Sequence, residues 1–334
     1  MRVTVIGAGV AGLACAVELA ERGAAVEVLE RAAALPAAGC SWFAGGMLAP
    51  WCELENGGPL IARLGEEGLG WWRRHFAATA LRGTLVLAHG RDSGELTQFA
   101  RRTQRFDRLG AEAIGALEPE LAGRFAAALY FAAEGHLDPR AALAALLARA
   151  QELGAAIRFG VDARAMNLAG REVVDCSGYA APLGELRGVR GEMVLLRAPE
   201  IALSRPVRVL HPRVPVYIVP RGEGVYLVGA TMLESDAARG VSARSLLELL
   251  SAAYALHPAF GEAEILETGT GIRAAFPDNL PRIRRAGGAL HVNGLYRHGF
   301  LLAPALACRA AEVLLEGRPF AEVMDEDPRQ RRLA

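Results

Sequence analysis

The run Gly7-Ala8-Gly9-Val10-Ala11-Gly12 constrains this chain more than any other feature. Ahead of it stands Arg2-Val3-Thr4-Val5-Ile6, short, β-branched and apolar, as a buried parallel strand requires. Behind it, Val10 to Arg22 carries Ala, Leu and Glu at helical spacing and stops at Gly23, before a second strand from Ala24 to Glu30. Strand, glycine turn, helix and strand make a βαβ unit, and the unit predicts a dinucleotide site. Gly7 permits the tight turn, Gly9 removes the side chain that would block a pyrophosphate, and Gly12 lets helix and sheet approach. Backbone N–H groups at Val10 and Ala11 open the helix and meet phosphate oxygens. Glu30 closes the second strand 18 residues after Gly12, placed to accept hydrogen bonds from ribose hydroxyls, with Arg31 beside it. These residues leave open which dinucleotide binds. An NAD dehydrogenase would continue in further βα units, whereas a flavoprotein would return to its first domain late in the chain.

The later sequence changes texture twice. Leu60 to Ala80, Asp92 to Arg105 and Pro139 to Leu153 read as helices; Thr84 to Ala88, Ala127 to Phe131 and Ala155 to Phe159 read as short strands. Arg171 to Gly178 is an apolar strand ending in small residues; in two-domain flavoproteins such an end, here Cys176 and Gly178, passes close to the dinucleotide, the alternative being a simple strand-to-loop turn. From about residue 190 the pattern alternates: Pro215 to Pro220 and Gly224 to Gly229, joined through Arg-Gly-Glu-Gly, predict a hairpin of an antiparallel sheet. A helix from Ser242 to Leu256 follows, and a strand at His291 then turns through Gly299 into a long apolar helix. That last turn is the late return a flavoprotein would show. The expected class is α/β: a Rossmann-type dinucleotide-binding domain assembled from separated segments, 1–50, 134–184 and 268–334, which the family resemblance given below makes an FAD-binding domain, plus an α+β substrate domain with an antiparallel sheet, 51–133 and 185–267.

Composition removes other classes. The 37 acidic and 37 basic residues cancel, so nothing draws the chain to nucleic acid or an anionic membrane. No lysine occurs, so any anion clamp is a guanidinium. Five scattered cysteines without a Cys-x-x-Cys pair and seven dispersed histidines predict neither a disulfide framework nor a metal site. No apolar run reaches the ~18 residues of a membrane span. Glu18, Glu21 and Arg22 interrupt the apolar start too early for a secretory leader, so the expected compartment is the cytoplasm.

Five stretches in order, GAGVAG, GGMLAP, YIVPRGEGVYLVGATM, GIRAAFPDNLPRI and LYRHGFLLAPALA, resemble the glycine oxidase family of thiamine biosynthesis, within the D-amino acid oxidase superfamily. The resemblance spans nearly the whole chain. It implies FAD as cofactor and oxidation of a small amine acid: a hydride leaves the α-carbon for the flavin, an imine forms, and oxygen is reduced to hydrogen peroxide. The protein's task is then orientation and electrostatics rather than a dedicated base. Arg273 matches the arginine that takes the substrate carboxylate, Tyr217 a tyrosine that adds a hydroxyl to it, Arg297 a cation beside the flavin, and Met232 a pocket wall. The resemblance places Val161 at the nucleotide, and Tyr296, Arg297, His298, Gly299, Phe300 and Leu301 in the closing turn on the flavin. In the patternless stretch GCSWFAGGMLAPWCE, Cys40 and Ser41 lie near the phosphate or ribitol, Gly45 and Gly46 bring backbone N–H groups to the cofactor, and Met47 lies against its ring. No cysteine occurs between Gly271 and Pro281, where related sarcosine oxidases tether their flavin, so noncovalent FAD is expected. The family further implies a homo-oligomer and hand-over of a glycine imine to a thiazole synthase. D-amino acid dehydrogenases and sarcosine oxidases share the fold and form the alternative.

Overall fold

The computed structural model describes residues 1–35, 39–211 and 215–324. Along the chain run β1 (Arg2–Ile6), α1 (Val10–Glu21), β2 (Ala25–Glu30), β3 (Met47–Leu48), α2 (Leu54–His75), β4 (Thr84–Ala88), α3 (Ser93–Arg102), β5 (Asp107–Gly110), α4 (Ala111–Leu117), β6 (Ala127–Phe131), β7 (Gly135–His136), α5 (Pro139–Glu152), β8 (Ala156–Phe159) and β9 (Glu172–Asp175). Then follow β10 (Arg187–Arg197), β11 (Val207–Leu210), β12 (Val216–Gly222), β13 (Val225–Gly229), β14 (Leu233–Glu234), α6 (Ala243–Leu256), β15 (Glu264–Ala275), β16 (Arg282–Ala286), β17 (Ala289–Asn293) and α7 (Gly299–Leu315).

A six-stranded sheet has the order β16-β17-β9-β1-β2-β8 and is parallel except where β16 pairs with β17. Val3, Thr4 and Val5 of its central strand are wholly buried, which explains the unbroken apolar run there. α1 packs against α5 and α7, and α2 lies on α7 through Ile61, Leu64, Trp71 and Trp72. Gly68 brings α2 against the carbonyl of Leu301, and Trp72 Nε1 donates to the Phe300 carbonyl at 2.7 Å. The expected start at Leu60 reflects a real break: Gly58 has φ 69° and Pro59 follows it, separating a leading turn from the main helix.

The second sheet has nine strands, ordered β14-β10-β13-β12-β11-β4-β6-β5, with β15 also paired to β10. It is antiparallel except for β4 beside β11. The expected hairpin is present as β12 and β13, with Tyr217 opposite Gly229. β15, absent from the sequence reading as a strand, pairs along the length of β10 and sets Arg273 opposite Val189. By packing, 54–75 gives Ile61, Leu64, Trp71 and Trp72 to the core of the six-stranded sheet and Ala62 to a cluster on the larger one, whereas Glu264–Ala275 belongs to the larger sheet. Among the described residues no helix is long and apolar enough to cross a membrane.

Candidate functional site

The glycine loop leaves β1 at Gly7, whose φ of 96° excludes other residues; a Cβ there would lie 2.9 Å from the Cys176 carbonyl oxygen. A Cβ on Gly12 would strike the Gly7 carbonyl, while one on Gly9 would meet nothing nearer than Ser41 Oγ at 3.4 Å. The space over Gly9 is thus kept clear. No side chain caps α1 at Gly9, so the N–H groups of Ala11 and Gly12 stay available to an anion. Val10 N–H donates to Ser41 Oγ at 3.3 Å, joining the loop to the 39–49 segment. Glu30 is buried at the end of β2, its carboxylate fixed by the N–H groups of Ala8 (2.8 Å) and Ala32 (2.9 Å). Val161 N–H donates to the Glu30 carbonyl at 2.9 Å, so that residue borders the same corner, and the Gly178 carbonyl accepts from Asn293 Nδ2 at 2.9 Å. Cys176 lies beneath the loop, its Sγ 3.9 Å from Cys15 Sγ. Arg31 is exposed beyond Glu30 and does not line the cleft described next.

Between the two sheets a cleft continues from Val10, Cys40 and Ser41 along Gly45, Gly46 and Met47 to Tyr217, Met232, Arg273 and the turn Tyr296–Leu301. Glycines shape it. Gly46, with φ 70°, passes so close to Leu137 that a Cβ would enter its carbonyl oxygen, and a Cβ on Gly45 would sit 2.6 Å from the Tyr217 ring. Arg221 holds this wall, donating to the carbonyls of Ala44 (3.0 Å), Gly45 (2.9 Å) and Leu137 (3.0 Å). Burial lowers its pKa to about 10, which leaves it cationic at neutral pH. The guanidinium of Arg273 occupies the space that a Cβ on Gly191 would take, and its Nη1 donates to the Thr231 carbonyl at 2.9 Å. Thr231 is itself held twice by Glu192, through its N–H (3.2 Å) and its Oγ1 (3.0 Å).

The closing turn brings Arg297 in from the opposite side. Its Nη2 lies 3.2 Å from Glu53 Oε1 and its Nη1 3.5 Å from Met232 Sδ, which the Tyr296 hydroxyl also approaches at 3.6 Å. Met232 is 46% exposed, at the mouth of the cleft. His298 ends the turn at the start of α7; burial, reinforced by Arg297, Arg208 and Arg273, overrides Glu53 and lowers its pKa to about 4. It is therefore a neutral imidazole at physiological pH. Gly299, Phe300 and Leu301 form the first turn of α7, whose N-terminus opens on the cleft.

Three participants escaped the sequence reading: Glu53, Arg208 and Arg221. Glu53 Oε1 lies 3.2 Å from both Arg208 Nη1 and Arg297 Nη2. Burial alone would raise its pKa, yet Arg297, Arg208 and His298 hold it at about 2. Arg208 also meets Glu55 at 3.3 Å. Of the three arginines lining the cleft, Arg273 alone has no carboxylate partner among the described residues.

A clear cradle over Gly9, an uncapped helix start, a fixed acidic residue at the second strand and a glycine-walled cleft at the far end fit FAD in extended form. Comparison with known proteins agrees. The chain is 54% identical over 325 residues to a Rhizobium etli protein that carries the provisional name thiamine biosynthesis oxidoreductase ThiO, covering 96% of this chain and 98% of that one. A Nostoc sp. protein named bifunctional protein ThiO/ThiG is 29% identical over 94% of this chain, which spans 52% of the longer relative. The crystal structure of glycine oxidase from Geobacillus kaustophilus superposes with a TM-score of 0.80 at 26% identity, covering 96% of each chain. The family model for FAD dependent oxidoreductases, DAO, matches residues 2–313, and the chain belongs to that family of FAD-dependent enzymes.

Proposed function

We propose that this flavoenzyme oxidises glycine, or a similarly small amine acid, to the imine, with oxygen as electron acceptor and hydrogen peroxide as product. The observation that carries the reading is the guanidinium of Arg273, which meets no carboxylate among the described residues and is held in a cleft beside a tyrosine. A carboxylate entering there meets a fork of donors already oriented by Thr231, so little side-chain entropy remains to be lost. Tyr217, seated against Gly45 and Gly229, supplies a hydroxyl to the same carboxylate. Arg297 is kept cationic by Glu53 and lies across the cleft, where it stabilises negative charge.

Gly7 to Gly12, Glu30, Ser41, Gly45 to Met47 and the turn Tyr296 to Leu301 are the residues that would hold FAD. When bound, FAD supplies the redox chemistry, accepting the hydride from the substrate carbon and passing its electrons to oxygen. The absence of a side chain at Gly45 leaves the Tyr217 ring its place in the cleft, where its hydroxyl serves the substrate. The glycine oxidase name of the Geobacillus relative supports the substrate class, and the ThiO/ThiG name of the Nostoc relative supports passing the imine to a second enzyme of thiazole assembly.

Purified holoenzyme under air, given glycine, sarcosine or D-alanine in turn, should release peroxide, most strongly with an unbranched substrate. Reduction of an artificial dye without peroxide would replace oxygen by another acceptor. Silence with all three amines would overturn the substrate class.

A further inference from the structure

Three guanidinium groups line one cleft, and a cleft with three free cations would favour substrates carrying several anionic groups. Glu53 prevents this. Its Oε1 is shared by Arg208 Nη1 and Arg297 Nη2, both at 3.2 Å, so one carboxylate oxygen joins cations from β11 and from the closing turn. Glu55 takes the other arm of Arg208 at 3.3 Å while also facing Arg102 at 3.7 Å. Arg273 remains as the single uncompensated cation among the described residues of the cleft. The geometry points to Glu53 as the specificity residue that restricts this site to amine acids with one carboxylate and rejects those with two, such as an N-carboxymethyl amino acid. The inference rests on Arg273 taking the first carboxylate.

Glu53 keeps its charge throughout, since its carboxyl titrates at about 2. Its Oε2 is buried without a hydrogen-bond partner, 3.6 Å from His298 Nδ1. A second substrate carboxylate would approach this anion and find both neighbouring guanidinium groups already engaged. Removing the negative charge releases Arg297, and partly Arg208, to receive that second carboxylate.

The test uses two ether analogues that cannot be oxidised at nitrogen: methoxyacetate, with one carboxylate, and oxydiacetate, with two. Each is titrated into oxidised holoenzyme and followed by the perturbation of the flavin spectrum, a readout of binding rather than turnover. The wild type should prefer methoxyacetate. In Glu53→Gln the preference should move toward oxydiacetate by at least tenfold, and Glu53→Asp, which keeps the charge, should stay near the wild-type ratio. Glu53→Gln combined with Arg297→Met, which removes the cation that the first change sets free and leaves Arg208 to Glu55, should return toward it. A ratio unchanged within twofold in Glu53→Gln, with methoxyacetate still bound, overturns the role of Glu53. If Glu53→Gln does not fold, the folded Asp variant and the double variant decide: a shift toward oxydiacetate in both overturns the charge argument. Failure of the wild type to bind methoxyacetate at all would instead count against Arg273 as the carboxylate site.

Discussion

Gly191→Ala tests the carboxylate clamp without touching the clamp itself. Gly191 is buried in β10 outside the left-handed region, so alanine fits the backbone. Its Cβ would nonetheless fall 2.6 Å from Arg273 Nη1 and closer still to Nη2 and Cζ, so the guanidinium must leave its place. A charge-assisted hydrogen bond contributes about 1.5–3 kcal/mol, and losing one arm of the fork costs that amount in substrate binding. At about 1.4 kcal/mol per tenfold, KM for glycine should rise roughly ten- to hundredfold. Peroxide release gives KM and kcat, and denaturant unfolding gives stability, which should change little. Gly191→Ala and Arg273→Met act on the same group, so the double variant should be no worse than Arg273→Met alone. A KM within twofold of wild type in Gly191→Ala would refute the placement of the substrate carboxylate at Arg273.

Arg221→Met leaves the carbonyls of Ala44, Gly45 and Leu137 without their donor; it should destabilise the protein by about 3 kcal/mol and weaken FAD binding at least tenfold, measured by unfolding and by flavin titration of the apoprotein. Glu134 is wholly buried, and burial raises its carboxyl from 4.5 to about 7. The folded chain then holds a proton that the unfolded chain has released, so this group's stabilisation is complete below pH 4.5 and falls as pH rises to 7. Relative to Glu134→Gln, the wild type should lose about 3 kcal/mol across that window, and a flat difference curve would contradict the assignment. With no cysteine between Gly271 and Pro281, acid precipitation should leave a colourless pellet and a yellow supernatant; a yellow pellet would indicate a covalent bond to flavin.

The geometry of the glycine loop was legible because it is local. Gly7, Gly9, Gly12 and Glu30 fall within one βαβ unit, where turn, helix start and strand end follow each other in sequence. The hairpin that carries Tyr217 was visible from its alternating strands on either side of a glycine turn, but the tyrosine itself stood out only through the resemblance of its YIVPRG run. Arg208 and Glu53 were not visible. One is a lone cation inside a short apolar strand and the other sits in an irregular loop, and their meaning comes from an approach across 155 positions of chain. Arg221 belongs to the same class: its partners at Ala44, Gly45 and Leu137 are backbone carbonyls, which no side-chain pattern reveals. Gly191 could have been read as a weak point of β10; that its missing side chain houses Arg273 follows only from the pairing of β10 with β15. At the break at Gly58-Pro59 the expected start at Leu60 falls on the main body of α2, whereas the expected end at Ala80 runs five residues past the observed one at His75.

The most direct test of the account is the reductive half-reaction in the absence of oxygen. Holoenzyme mixed anaerobically with glycine should lose its visible flavin absorbance, and Arg273→Met with FAD bound should do so at least tenfold more slowly at the same subsaturating glycine concentration. A wild type that keeps its colour with glycine, sarcosine and D-alanine, or a wild type and Arg273→Met that bleach at equal rates, would contradict it.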